Sequence, residues 1–120
     1  MTKTFRFLDF QVYQDSKRFY REIVHITRKF PREYWELGDQ IRRSSLSICL
    51  NIAEGSGKSS DKEFNRYLNN SLGSVNETAA GIDIAYEQNL ITKEISDSLL
   101  TKAKEIADQL GGFSKKLKSR

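Results

Sequence analysis

The stretch N-I-A-E-G-S-G-K-S-S-D-K-E-F, Asn51 to Phe64, decides between two fold classes. It contains G-S-G-K-S, the closing letters of a nucleotide-binding P-loop. That motif needs a buried strand before it, a parallel sheet around it and a first glycine five residues before the second. With Gly57-Lys58-Ser59 as the last three letters, the first glycine falls on Ile52. The preceding Q-I-R-R-S-S-L-S-I-C-L-N-I-A-E reads as helix. The stretch is therefore a helix stop followed by a helix start. Gly55 and Gly57 offer the left-handed backbone that ends a helix, and Ser60 with Glu63 fits the S-x-x-E capping box that opens the next. No ATP or GTP binding is expected here.

Outward from that connector, apolar residues recur at helical spacing, and no segment shows sustained strand alternation. Downstream, Phe64, Leu68, Leu72, Val75, Ala79, Ile82 and Tyr86 form a stripe over 61–88. Gly73 and Gly81 lie within it, as a close neighbour or a functional need would require. Upstream, Leu37, Ile41, Ile48 and Ile52 mark a helix over 36–54, its gaps filled by Ser44, Ser45, Ser47 and Ala53. Tyr34 and Trp35 before it are placed to staple the connector to the core. A first helix over 9–29 carries Val12, Ser16, Phe19, Ile23, Ile26 and Phe30 and is stopped by Pro31. A fourth over 93–117 starts on Thr92 as N-cap and carries Ile95, Leu99, Ala103, Ile106 and Leu110. Gly111-Gly112 is expected to end its well-packed part. Short links make the 120 residues a single all-α domain, an antiparallel up-down-up-down four-helix bundle.

Composition narrows function. No apolar run approaches the ~18 residues of a membrane span, and the N-terminus lacks a signal-peptide core. With a single cysteine, Cys49, no internal disulfide is open to the chain, and a cytoplasmic protein is expected. The net charge of +4 equals the four cations Lys115, Lys116, Lys118 and Arg120 of the last ten residues, which hold no acid. Such a tail contacts phosphates or an acidic partner, or it compensates the helix dipole.

Catalytic constellations are not found. The single histidine, His25, has no second His or Cys to form a metal set. Cys49 sits beside Ile48 and reads as a packed thiol. The carboxylates are scattered over helix faces, without the E-x-x-H pattern of di-iron bundles. No cofactor and no small-molecule substrate are expected. The unusual group is Gln40-Ile41-Arg42-Arg43 with Asn51, Glu54 and Lys58. Paired arginines suit bidentate recognition of phosphate or carboxylate; salt bridges to acids on neighbouring helices are the alternative. Arg43 and Glu54 are three turns apart, so each is expected to find a partner on another helix, another subunit or a ligand.

Q-I-R-R-S-S-L-S-I-C-L-N-I-A-E-G-S-G-K, Gln40 to Lys58, resembles the signature of the four-helix bundle proteins also called 23S rRNA intervening-sequence proteins. F-R-F-L-D-F-Q-V-Y-Q, F-P-R-E, E-F-N-R-Y-L and S-L-G-S-V-N-E extend the likeness over nearly the whole chain. Cys49 stands where that family usually has proline, so a kink is expected to be softer here. The resemblance implies a bacterial, homo-oligomeric protein, a cyclic pentamer, some members being encoded within insertions in large-subunit rRNA genes. A related protein is the accessory factor of diversity-generating retroelements, thought to bind nucleic acid and a reverse transcriptase. The resemblance carries over no catalytic residue. The expectation is a non-enzymatic binding or scaffold module, with RNA the leading partner, or else a structural or protein-interaction module, whose partner is a reverse-transcriptase-like or other protein. Arg42, Arg43, Lys58, Lys115, Lys116, Lys118 and Arg120 are the candidate binding residues. Ser44, Ser45, Asn51, Glu54 and Gly55 are the candidate subunit contacts, because small side chains permit close approach and Glu54 can pair with Arg42 and Arg43 across a ring.

Overall fold

The computed structural model describes residues 4–120. A 3-10 turn, Arg6–Asp9, leads into α1, Gln11–Thr27; a second, Arg32–Tyr34, leads into α2, Trp35–Ser56; α3, Asp61–Glu87, and α4, Lys93–Lys118, follow. They form a four-helix bundle 46 × 23 × 21 Å, with no strand among the described residues.

The helix boundaries follow local chemistry. Ser60 accepts the Glu63 N–H at 3.1 Å and Thr92 the Ile95 N–H at 3.2 Å, each satisfying an orphan donor of a first turn. Helix α1 ends before Phe30-Pro31. Helix α3 ends at Glu87, and Asn89, just past its C-cap Gln88, has a left-handed φ of 61°. The Asn89 N–H reaches the Tyr86 carbonyl at 3.0 Å, and the Leu90 N–H reaches that of Ala85 at 2.9 Å, a Schellman closure.

The 55–57 glycines act differently from expectation. Gly55 lies inside the last turn of α2, and Gly57 caps it at φ −89°, an ordinary right-handed value. No glycine among the described residues has positive φ. The α2 terminus is closed by a side chain instead: Arg6 donates Nε and Nη2 to the Ser56 carbonyl at 3.1 and 3.0 Å. Gly111-Gly112 does not end the packing of α4 either. The helix runs on to Lys118, with Leu117 buried and Phe113 set against the core. An apolar anchor beyond the pair outweighs its poor helix propensity.

The core holds Phe19 and Ile23 of α1, Ile41, Ile48 and Ile52 of α2, Phe64, Leu68 and Ile82 of α3, and Leu99, Ile106 and Leu110 of α4. The α2–α3 pairing is the most extensive and α1–α4 the sparsest. On α3 the buried face is rotated from the expected stripe toward Ser71, Thr78, Gly81 and Ala85, while Leu72 is half-buried and Tyr86 exposed. The small residues are there because α2 comes close. A Cβ on Gly81 would lie 2.6 Å from Ile41 Cγ1, and one on Gly55 would lie 2.6 Å from Tyr67 Cβ. Cys49 is buried in an unbroken α2, without a kinking residue in its place.

Candidate nucleic-acid interface

The alternation of helix direction sorts the seven candidate cations into two groups. Arg42 and Arg43 lie two turns into α2. Lys58 follows the far end of the same helix, roughly 20 Å away at 1.5 Å per residue. Lys115, Lys116, Lys118 and Arg120 close α4, at the end where α3 begins.

At the first location both arginines share one acid. Arg43 Nε donates to Asp39 Oδ2 at 3.0 Å, and Arg42 Nη2 lies 3.9 Å from Asp39 Oδ1. Arg42 also donates Nη1 to the Thr27 hydroxyl of α1 at 2.9 Å. The expectation of partners beyond the helix is thus corrected for Arg43. Asp39, one turn earlier, was the missed residue, and the i,i+4 spacing was its signal. Glu54 likewise finds Lys58 on its own side of the chain, at 3.8 Å. These are surface contacts of modest strength, and Arg43 keeps its side chain 74% exposed.

At the second location the connector, the N-terminal turn and the tail converge. Arg6 caps α2 and lies over the Phe64 ring, 5.3 Å from its centroid. Lys58 lies 5.1 Å from the centroid of Tyr67. Arg120 donates Nε and Nη2 to the Asp61 carboxylate at 2.7 and 2.9 Å, and these hydrogen bonds hold the Asp61 carboxyl below its ordinary pKa. Lys115, Lys116 and Lys118 are exposed and have no acidic partner among the described residues. They also stand in the last turn of α4, where cations favour the helix dipole. Gly55, Ser56 and Gly57 end a helix rather than link a strand to one, which is not the setting of a P-loop.

The five candidate subunit-contact residues are likewise divided. Ser44 and Ser45 are 4% and 0% exposed, and Gly55 is buried against Tyr67 and Phe64. Ser44 bonds to the Thr78 hydroxyl at 2.7 Å, and Ser45 to the Arg42 carbonyl at 3.0 Å. Their small size serves packing inside one chain. Asn51 is half-buried, bonded to Ser47, and Glu54 is exposed. What α2 turns outward is Trp35, Leu46 and Leu50, at 61, 38 and 56% exposure. Sequence periodicity did not single out the two leucines, and Trp35 begins the helix rather than stapling the connector.

Cys49 is held by packing: burial pushes its thiol up to about 11. His25 is exposed on α1. Among the described residues no helix is long and apolar enough to cross a membrane.

Residues 8–112 match the family model described as 23S rRNA-intervening sequence protein. No curated protein matches the chain. A solved structure of a protein with unknown function from the S23 ribosomal protein family of Bacteroides thetaiotaomicron VPI-5482 superposes with a TM-score of 0.80. It is 30% identical, over 87% of this chain and 98% of that one. Fold, length and sequence agree, and the chain belongs to the 23S rRNA-intervening sequence protein family.

Proposed function

We propose that this protein is a non-enzymatic binding or scaffold module that works as a homo-oligomer, with RNA as its ligand. The observation that carries the reading is the group Lys115, Lys116 and Lys118. These three exposed lysines close α4 without acidic partners among the described residues, at the same end of the bundle as Lys58 and Arg120. Residues 1–110 are charge-neutral, so the protein's net positive field starts from this end. Phosphate contacts of this kind supply affinity without reading sequence.

The exposed Leu46 and Leu50 of α2 favour self-association, because two large aliphatic side chains one turn apart form a compact apolar spot. The ring of five that the resemblance implies would bring five basic ends together and multiply the field. The second reading, a protein-interaction module, rests on the same apolar spot. Crosslinking in living cells followed by recovery of bound nucleic acid separates the two. Enrichment of RNA over a Lys115→Ala/Lys116→Ala/Lys118→Ala control supports the first, and equal recovery from both leaves protein interaction as the function.

A further inference from the structure

A cleft of about 430 Å³ opens between α1 and α2, at the end of the bundle away from the lysine tail. Tyr20, Phe30 and Trp35 line it, together with Arg28 and Arg42. We propose that this cleft binds one unpaired nucleotide of single-stranded RNA, its base stacked on Trp35 and its phosphate held by Arg28 and Arg42. The proposal rests on the RNA reading above and names the form of RNA that this second site selects.

The side chains argue for that occupant. Tryptophan is a residue that folding usually covers, yet Trp35, which lines the cleft, is 61% exposed. An exposed aromatic ring that shares a cleft with cations is the combination that stacks nucleobases. Arg42 is pre-positioned: Nη1 is tied to Thr27 at 2.9 Å, and Asp39 stands no nearer than 3.9 Å, with its other oxygen taken by Arg43. A guanidinium has five N–H donors, so most of those on Arg42 remain for a ligand. Arg28 is exposed and has no acidic partner among the described residues. The acids nearest in sequence to Trp35 are Glu33 and Glu36, both exposed; Asp39 is the one in contact with the cleft's cations. A volume of this size admits a nucleotide. The bases of a duplex are paired and stacked on one another, and only a single strand can splay one out.

Trp35 is the chain's single tryptophan, so its fluorescence reports on this cleft alone. The full-length protein is titrated with a 12-nucleotide single strand, a duplex of the same length, and a single strand in which abasic ribose replaces the nucleosides. Labelled versions of each give affinity by anisotropy. The proposal expects saturable quenching by the first strand, and little from the duplex or the abasic strand. It expects Trp35→Leu to weaken single-strand binding by about fivefold or more, as loss of one stacking contact does. Arg28→Ala, at an exposed position where folding is not at stake, should weaken it by a smaller factor, with duplex binding unchanged in both variants. Binding of single strands without quenching, and unaltered in both variants, overturns the cleft and leaves the lysine tail as the RNA site. Absence of binding to all three overturns both readings. A Trp35→Leu protein that falls apart into single chains while its RNA affinity is unchanged assigns Trp35 to a subunit contact, and also overturns the proposal.

Discussion

The Ser71 hydroxyl of α3 donates to the Ile48 main-chain carbonyl of α2 at 2.9 Å. A side chain reaches a helical carbonyl of its neighbour only where two backbones run close together. Ser44 with Thr78 and Ser47 with Ser74 repeat the theme along the same seam, at 2.7 and 2.9 Å. Gly81 belongs to this seam, and Gly73 does not. Gly81→Ala would set a methyl 2.6 Å from Ile41 Cγ1 and is expected to cost about 1–3 kcal/mol. Gly73→Ala meets nothing within 4 Å and is expected to stabilise by up to about 1 kcal/mol. Urea denaturation of the two variants checks the sign of each; equal effects would mean that the seam is looser than described.

Ile48 and Leu72 separate in the same way. Ile48 is fully buried, and Ile48→Ala should cost about 2–5 kcal/mol. Leu72 is half-buried at the rim of the core, so Leu72→Ala should cost clearly less, about 1–2 kcal/mol. A Leu72 loss as large as that at Ile48 would restore the unrotated α3 stripe.

These residues show what was legible in the sequence. Steps of three and four located all four helices, because burying one apolar face is what a bundle requires. Ser60 and Thr92 announced their helices because a capping hydroxyl acts within one turn of chain. The small residues of α2 were seen, but their partner was not. Whether Ser44 faces Thr78 of the same chain or a second subunit depends on the rotation of α3, which its mixed polar and apolar sequence specifies weakly. Arg6 as the cap on α2 was hidden for a similar reason, since donor and carbonyl are 50 residues apart. The cleft around Trp35 joins α1, the connector and α2, and no local pattern marks it.

Cys49 gives a pH signature. Burial raises the folded thiol to about 11, above its ordinary value of 9.0. Between those limits the unfolded chain loses a proton that the folded chain keeps, so stability falls as pH rises. The contribution is intact below pH 9. Cys49→Ala should flatten the decline of stability between pH 9 and 10.5 relative to the parent chain, as followed by chemical denaturation. An unchanged slope would mean that the thiol is accessible in the fold.

Self-association should depend on the outward residues of α2. The proposed pentamer has five times the 13.9 kDa mass of one chain in light scattering. Leu46→Glu/Leu50→Glu should reduce it to single chains with helicity retained, since both side chains are exposed in the isolated bundle. A bulky change at Ser45 is a poor probe, because that side chain is fully buried and would break the fold first. An intact ring in the double Glu variant would move the contacts to another face.

The most direct test of the account is RNA affinity against salt concentration, measured for the parent chain and for Lys115→Ala/Lys116→Ala/Lys118→Ala. Each phosphate contact with a single strand adds about 0.7 to the slope of log affinity on log salt. If the lysines at the end of α4 hold the RNA backbone, the parent should show a steep line. The triple variant should bind more weakly, with a slope lower by about 2 per engaged chain. A parent chain with no measurable RNA affinity at low salt, or a triple variant with the same affinity and slope as the parent, would contradict it.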